Sequence, residues 1–413
     1  MGHPDMRTAN ESQPDGLQPG LQRGGLQRRR FLAAGAAGLA AWCLPTAAGA
    51  ANAAGAGYRR LLVLVELRGA NDSLNTVIPY ADPEYAVLRP RIGIPREEVL
   101  QLDGRTGLHP ALAPLLPLWE SQGLAIVQGL GYPQPRLSHF RSIEIWDTAS
   151  RSDETLAEGW LARAFTAHPV PAGFAADGVV VGAAGAGPLA SARGGTRTIA
   201  LTQPEKFLRE ARMAAPQARE GSAALAHILK VESDVALAAA RLESGRVLRT
   251  AFPQGAFGNA VRSAVQVAAM PAGVAAIRIT LNGFDTHRAQ AGTHQRLLGE
   301  LSAGLVALKA GLEEIGRWDE TLVLSYAEFG RRPRENASGG TDHGTAAAHF
   351  ALGGRVRGGL YGAAPALSRL EGGNLPFAVD FRCLYATVLR DWWGLPAEPV
   401  LNGRYESLGI LRG

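Results

Sequence analysis

The chain has 413 residues, 46% of them apolar and 19% charged, with a formal net charge of +5. This balance requires a sizeable buried core and excludes global disorder. Past the N-terminal arginines there is no long Lys/Arg run of the kind that binds nucleic acid, and no uninterrupted apolar stretch of the roughly 20 residues that a stable membrane span needs.

Residues 1–59 read as a leader and spacer. Arg28, Arg29 and Arg30 precede Phe31 and Leu32. An Ala-rich apolar run extends from Ala33 to Leu44, and Pro45 is followed by the small residues Ala48-Gly49-Ala50. A charged segment, a short apolar segment and a small-residue cleavage site are the parts of an export signal. Paired arginines before Phe-Leu resemble the twin-arginine type, with Gln27 where a Ser is usual. Residues 1–50 are therefore expected to be a signal peptide, 51–59 a spacer and 60–413 the folded domain. The expected location is periplasmic or secreted, with the twin-arginine translocase as a partner during export. The alternative is a basic tail before a chance Ala-rich segment. Trp42 before Cys43 argues against a lipid anchor. Cleavage would leave Cys383 as the only cysteine, so no disulfide could form within the chain.

Leu61 to Val65, Leu124 to Val127, Val179 to Val181, Ala275 to Leu281 and Thr321 to Tyr326 are short apolar runs, as expected of strands buried on both faces. Ala111 to Trp119 suggests a short helix interrupted by Pro114 and Pro117. About 205–250 is Ala-, Leu-, Glu- and Arg-rich at helical spacing and reads as a helical insertion. Leu297, Leu298, Leu301, Leu305, Leu308, Leu312 and Ile315 form one helical stripe. Gly330 to Gly362 is rich in Gly and polar groups and is expected to be a long functional loop region rather than one regular element. Phe381 to Trp393 reads as helical, with Leu384, Leu389, Trp392 and Trp393 in the core. Strands alternating with helices imply an α/β fold, a mainly parallel sheet sandwiched by helices.

In such sheets ligands collect at the carboxyl ends of the strands. The polar residues placed there are Asp72 with Asn71 and Asn75, then Ser138, His139 and Arg141, Asp285 and His287, Glu328 and Arg331, and Asp342 with His343. Carboxylates and imidazoles grouped in this way suit a divalent metal such as zinc or manganese. Each has a structural alternative. Asp72 could close an Asx-turn, Asp285 or Ser138 could cap a helix, and Glu328 could pair with Arg331. His109, His168, His227 and His349 read as structural, and Cys383 as a small core residue.

The segments Leu67-Arg68-Gly69-Ala70-Asn71-Asp72-Ser73-Leu74-Asn75, Ser138-His139-Phe140-Arg141-Ser142, Gly283-Phe284-Asp285-Thr286-His287, Glu328-Phe329-Gly330-Arg331 and Gly340-Thr341-Asp342-His343-Gly344 resemble the domain of unknown function 1501 family from about Arg60 to the C-terminus. Ala70 and Ala327 stand where that family has Gly and Ser. The resemblance implies a twin-arginine leader and an alkaline phosphatase-like fold of the phosphatase–sulfatase superfamily. In that superfamily two metal ions activate a nucleophile and clamp an in-line displacement at phosphorus or sulfur. The implied metal ligands are Asp72, Asp285, His287, Glu328, Asp342 and His343. Ser138 is the implied nucleophile, and His139 could serve instead as a ligand or general base. Arg141 or Arg331 would hold an ester oxygen. Phe329 stands where the second residue of an Asp-His pair is expected, and no Cys-x-Pro-x-Arg sequence supplies a formylglycine.

Two functions follow as expectations. One is a metal-dependent hydrolase of phosphate or sulfate esters, small or polysaccharide. The other is a non-catalytic exported protein that uses the same fold to bind polysaccharide or a protein partner.

Overall fold

A computed structural model of the chain describes residues 57–201, apart from 184 and 193, and residues 248–413. The expected signal peptide, most of the spacer, His227 and all but the last three positions of the expected helical insertion lie outside the described residues.

Among the described residues, nine strands form the main sheet: β1 (Leu61–Arg68), β2 (Leu124–Gly131), β3 (Ala176–Val181), β4 (Thr198–Leu201), β5 (Val274–Asn282), β6 (Thr321–Tyr326), β7 (Ala347–Leu352), β8 (Gly359–Tyr361) and β9 (Val379–Asp380). Their order is β8-β2-β7-β6-β1-β5-β3-β4, with β9 also paired to β2. All pairings are parallel except those of β7, which runs antiparallel between β2 and β6. The central strand β1 sets Val63 beside Ile277 of β5 and Val323 of β6.

The alternation of side chains along β1 divides the core in two. Leu61, Val63, Val65 and Leu67 pack with helices α3 (Ala256–Ala268) and α4 (Gln290–Glu314). Leu62 and Leu64 face the other layer, where α1 (His139–Thr148), α2 (Trp160–Ala167) and α5 (Arg382–Thr387) supply Trp146, Trp160 and Tyr385. Helices cover both faces, which is why the central strands read as continuous apolar runs. The Leu stripe of α4 is buried as expected, from Leu297 to Leu312. Leu384, Leu389, Trp392 and Trp393 are buried too, on α5, on the π-helical turn Val388–Trp392 after it and at that turn's C-cap. The expected helix at Ala111 to Trp119 is a 3-10 segment, Pro110–Leu115, followed by a short helix, Leu116–Glu120.

One expectation is corrected. Gly330 to Gly362 is largely strand: a hairpin of Arg331–Glu335 with Thr341–His343, followed by β7 and β8. The sequence of β7, AAHFAL, is entirely buried, but its alanines and its histidine have little β-propensity. Tertiary pairing with β2 and β6 fixes it as a strand. Among the described residues, no helix is long and apolar enough to cross a membrane.

Candidate metal centre

The adjacent strands β6, β1 and β5 end side by side, and their loops meet at the carboxyl edge of the sheet. Gly69, at φ 106°, lets the β1 loop touch the β5 loop: a Cβ there would lie 2.4 Å from the Asp285 amide nitrogen. The hairpin after β6 pairs Arg331 with His343, which brings His343 back over the strand ends. Helix α1 adds His139 as its first residue.

Four side chains converge. Asp285 Oδ1 lies 2.9 Å from His287 Nε2, 3.3 Å from His139 Nε2 and 3.4 Å from His343 Nε2. The Nε2 atoms of His287 and His343 are 3.0 Å apart. Behind each ring stands an outer partner. His139 Nδ1 is 2.6 Å from Glu328 Oε1, His343 Nδ1 is 2.8 Å from the Leu137 carbonyl oxygen, and His287 Nδ1 is 3.9 Å from Asp342 Oδ1. The Leu137 carbonyl can only accept, so His343 Nδ1 carries the proton and Nε2 turns its lone pair toward Asp285. His139 has the same arrangement with Glu328 as acceptor, the carboxylate–histidine pairing found behind metal-bound imidazoles.

Of the four side chains, His139, Asp285 and His343 offer ligand atoms that all lie within 4.8 Å of one another, a set that could hold a divalent ion. Metal bonds of about 2.0–2.2 Å place neighbouring ligand atoms about 3.0 Å apart at right angles and about 3.4 Å apart in a tetrahedron. Asp285 Oδ1 stands 3.3 Å from His139 Nε2 and 3.4 Å from His343 Nε2, in this range. His139 Nε2 and Glu328 Oε2 are buried without a hydrogen-bond partner. The Arg331 guanidinium already donates to Asp285 Oδ1 at 2.7 Å, so the lone pairs gathered round that oxygen are partly balanced within the protein. The hydrogen bond to Glu328, working against desolvation, raises the pKa of His139. Burial lowers that of His343, helped by the nearby positive groups and opposed by the bond to Leu137. Burial pushes Asp285 upward, but the hydrogen bond and charge of Arg331, with His139 and His287, hold it at about 2. Asp285 is therefore an anion at any ordinary pH. An open cleft of about 380 Å³ adjoins the group, with Asp285, His139 and Glu328 on one side and Glu66, Arg68 and Asn282 elsewhere in its lining.

Other candidate residues lie elsewhere or act differently. Asp72 does not join the cluster: both its oxygens accept from buried Arg89, at 2.6 and 2.8 Å, and one also accepts from Gln290. It forms neither the expected ligand nor an Asx-turn. Arg331 is fully buried and donates to the carbonyls of Gly69, Ala70, Phe284 and Thr341 and to Asp285, so it clamps the loops rather than facing the cleft. Glu328 pairs with His139 and the Gly69 amide rather than with Arg331. Arg141 is committed to Glu144 and to the backbone at 151–154. Ser138 sits at the α1 N-cap position, exposed, without a side-chain capping bond, and it does not line the cleft. Asp342 is half-exposed and receives a hydrogen bond from Asn336. His109 caps the 3-10 segment through Ala111, and His349 is buried beside Ser325. Cys383 is half-buried.

The sequence reading missed Glu66 and Arg278. Glu66 is 1% exposed, and its Oε2 accepts from Arg278 Nη2 at 2.5 Å and Thr280 Oγ1 at 2.8 Å. Arg278 also donates to Tyr326, whose hydroxyl reaches Asp147; burial raises Asp147 to about 7. The signal was visible: a charged residue inside an otherwise apolar strand run needs a buried partner.

A family model described as "Protein of unknown function (DUF1501)" matches residues 121–391. No curated protein matches the chain. Among solved structures, it is similar to the C-terminal periplasmic domain of EcEptC from Escherichia coli in complex with Zn, at 9% identity and TM-score 0.36 over 71% of this chain and 72% of that one. It is also similar to Ps i-CgsB, at 9% identity and TM-score 0.39 over 83% and 74% of the two chains. A third likeness is to the alkaline phosphatase of the Antarctic bacterium TAB5, at 12% identity and TM-score 0.29 over 71% and 91%.

Proposed function

The chain belongs to the DUF1501 family, whose activity is unknown, and we propose that it is an exported, metal-dependent hydrolase of phosphate or sulfate esters. The observation that carries this reading is the meeting of three imidazole Nε2 atoms at Asp285 Oδ1, two of the rings being oriented from behind by Glu328 and Leu137. Zinc or manganese suits such a nitrogen-rich set.

His139, His343 and Asp285 would hold one ion, with His287 beside them at Asp285 and His343. When bound, that ion supplies a Lewis acid for an ester oxygen and for the charge that develops on it. Arg68 is exposed, lines the cleft and makes no hydrogen bond or ion pair among the described residues, so it is available to an anionic ester oxygen. No serine lines the cleft among the described residues, and the attacking group is then water rather than Ser138. Glu328, in the lining of the cleft, takes the proton of that water as the water oxygen bonds to phosphorus or sulfur. The bond from phosphorus or sulfur to the leaving oxygen breaks, and that oxygen takes a proton from solvent in the open cleft. Export by the twin-arginine route rests on Arg28 to Ala50.

The raised pKa of His139 and the Arg331 contact on Asp285 favour a second reading. A proton on His139 balances the cluster without a metal, leaving a polar cleft that binds polysaccharide or a protein partner.

Elemental analysis of purified protein, with His287→Ala and His343→Ala variants, tests the reading. Stoichiometric zinc or manganese, lost in both variants, and turnover of aryl phosphates or aryl sulfates support it. A folded wild type that takes up no metal from excess overturns it.

A further inference from the structure

We infer that the cleft binds a carbohydrate, with Phe140 as the surface on which a sugar ring stacks. The inference names the substrate class of the proposed hydrolase and rests on that reading for the position of the scissile ester.

Phe140 is 86% exposed, lines the cleft and directly follows the candidate ligand His139. Leaving a phenylalanine in water forgoes about 2 kcal/mol of burial. Ile143, one helical turn further along α1, lines the cleft beside it.

The rest of the lining is polar and incompletely satisfied. Glu66 commits Oε2 to Arg278 and Thr280, while its Oε1 has no hydrogen bond among the described residues. The side chains of Arg68 and Asn282, both exposed, also have none. The cleft therefore offers an aromatic face, a carboxylate acceptor, a guanidinium donor and an amide that does both.

A pyranose presents the complement: an apolar C–H face and an edge of hydroxyls that donate and accept. A purely apolar ligand would strip water from Arg68 and Asn282 without replacing it. A cleft of about 380 Å³ is of the size that encloses one or two such rings. A nucleoside, which also has a flat face, is the competing ligand.

The test is titration of wild type, Phe140→Ala, Phe140→Tyr and Arg68→Ala with maltohexaose, cellohexaose, laminarihexaose, chitohexaose and adenosine. Binding is read by calorimetry and by saturation-transfer NMR, and metal content is measured on the same batches. At least one hexasaccharide should bind wild type. Phe140→Ala should weaken it about tenfold, and Phe140→Tyr should retain it. Arg68→Ala should weaken it about threefold. A metal-free wild type that still binds the sugar supports this inference while sinking the hydrolase. A wild type that binds no hexasaccharide or prefers adenosine, or a Phe140→Ala variant of unchanged affinity, overturns it.

Discussion

His139 Nδ1 and Glu328 Oε1 stand 2.6 Å apart, although 189 residues separate them in the chain. Their contact joins the first residue of α1 to the loop after β6 and directs His139 Nε2 toward Asp285. A proton held at Nδ1 leaves Nε2 free for a metal, so the carboxylate sets both the tautomer and the ring orientation.

Removing that carboxylate should weaken metal binding without removing a ligand. Glu328→Ala is expected to lower zinc affinity about 10- to 100-fold, read by competition with a chromogenic chelator. Glu328→Gln, which keeps a carbonyl acceptor for the Gly69 amide and His139, should fall between the two. Wild-type affinity in the Ala variant would remove Glu328 from the centre.

Asp72 should matter for stability and not for metal. Asp72→Ala strands the buried guanidinium of Arg89, at a cost of about 3–5 kcal/mol, measurable by urea unfolding. The folded fraction should keep its full metal content by elemental analysis. Loss of metal from a folded Asp72→Ala protein would restore Asp72 as a ligand.

Acid should destabilise the protein through His349. Burial lowers its pKa from 6.5 to about 3. Between those values the unfolded chain binds a proton that the folded protein refuses, so stability is complete above pH 6.5 and falls as the pH drops toward 3. His349→Met, which keeps an adaptable apolar side chain, should lessen this loss. Urea unfolding at pH 7, 5 and 4 gives the comparison; equal pH slopes for the two proteins would count against it.

The turn at Gly340 holds His287 in place. A Cβ at that position would lie 2.3 Å from the His287 carbonyl carbon and 2.5 Å from its oxygen, so Gly340→Ala must push the hairpin away. Metal affinity should drop by about tenfold or more, as for other disturbed outer-shell contacts, and chelator competition reads it. Undiminished affinity would show that the hairpin yields without moving His287.

Much of the layout was legible in the sequence. A strand covered on both faces must be apolar at successive positions, and Leu61 to Val65, Ala275 to Leu281 and Thr321 to Tyr326 met that requirement locally. The strand ends then pointed to Asp285, His287 and Glu328. Which of the candidates would meet was not legible, because strand order is non-local: β6, β1 and β5 are neighbours only through crossovers. Asp72, with the same chemistry as Asp285, lies within reach of Arg89 and is neutralised by it. Asp285 is paired with Arg331 as well, but it is half-exposed and also faces three imidazoles. Glu66 and Arg278 each looked like an interruption of an apolar strand, and only the pairing of β1 with β5 makes them a pair. Residue type and spacing fixed where strands run and which chemistry their ends carry. The partner of each charge was decided by the folded sheet, since a carboxylate's role depends on the group within a few ångströms of it, and that group is set by tertiary contact.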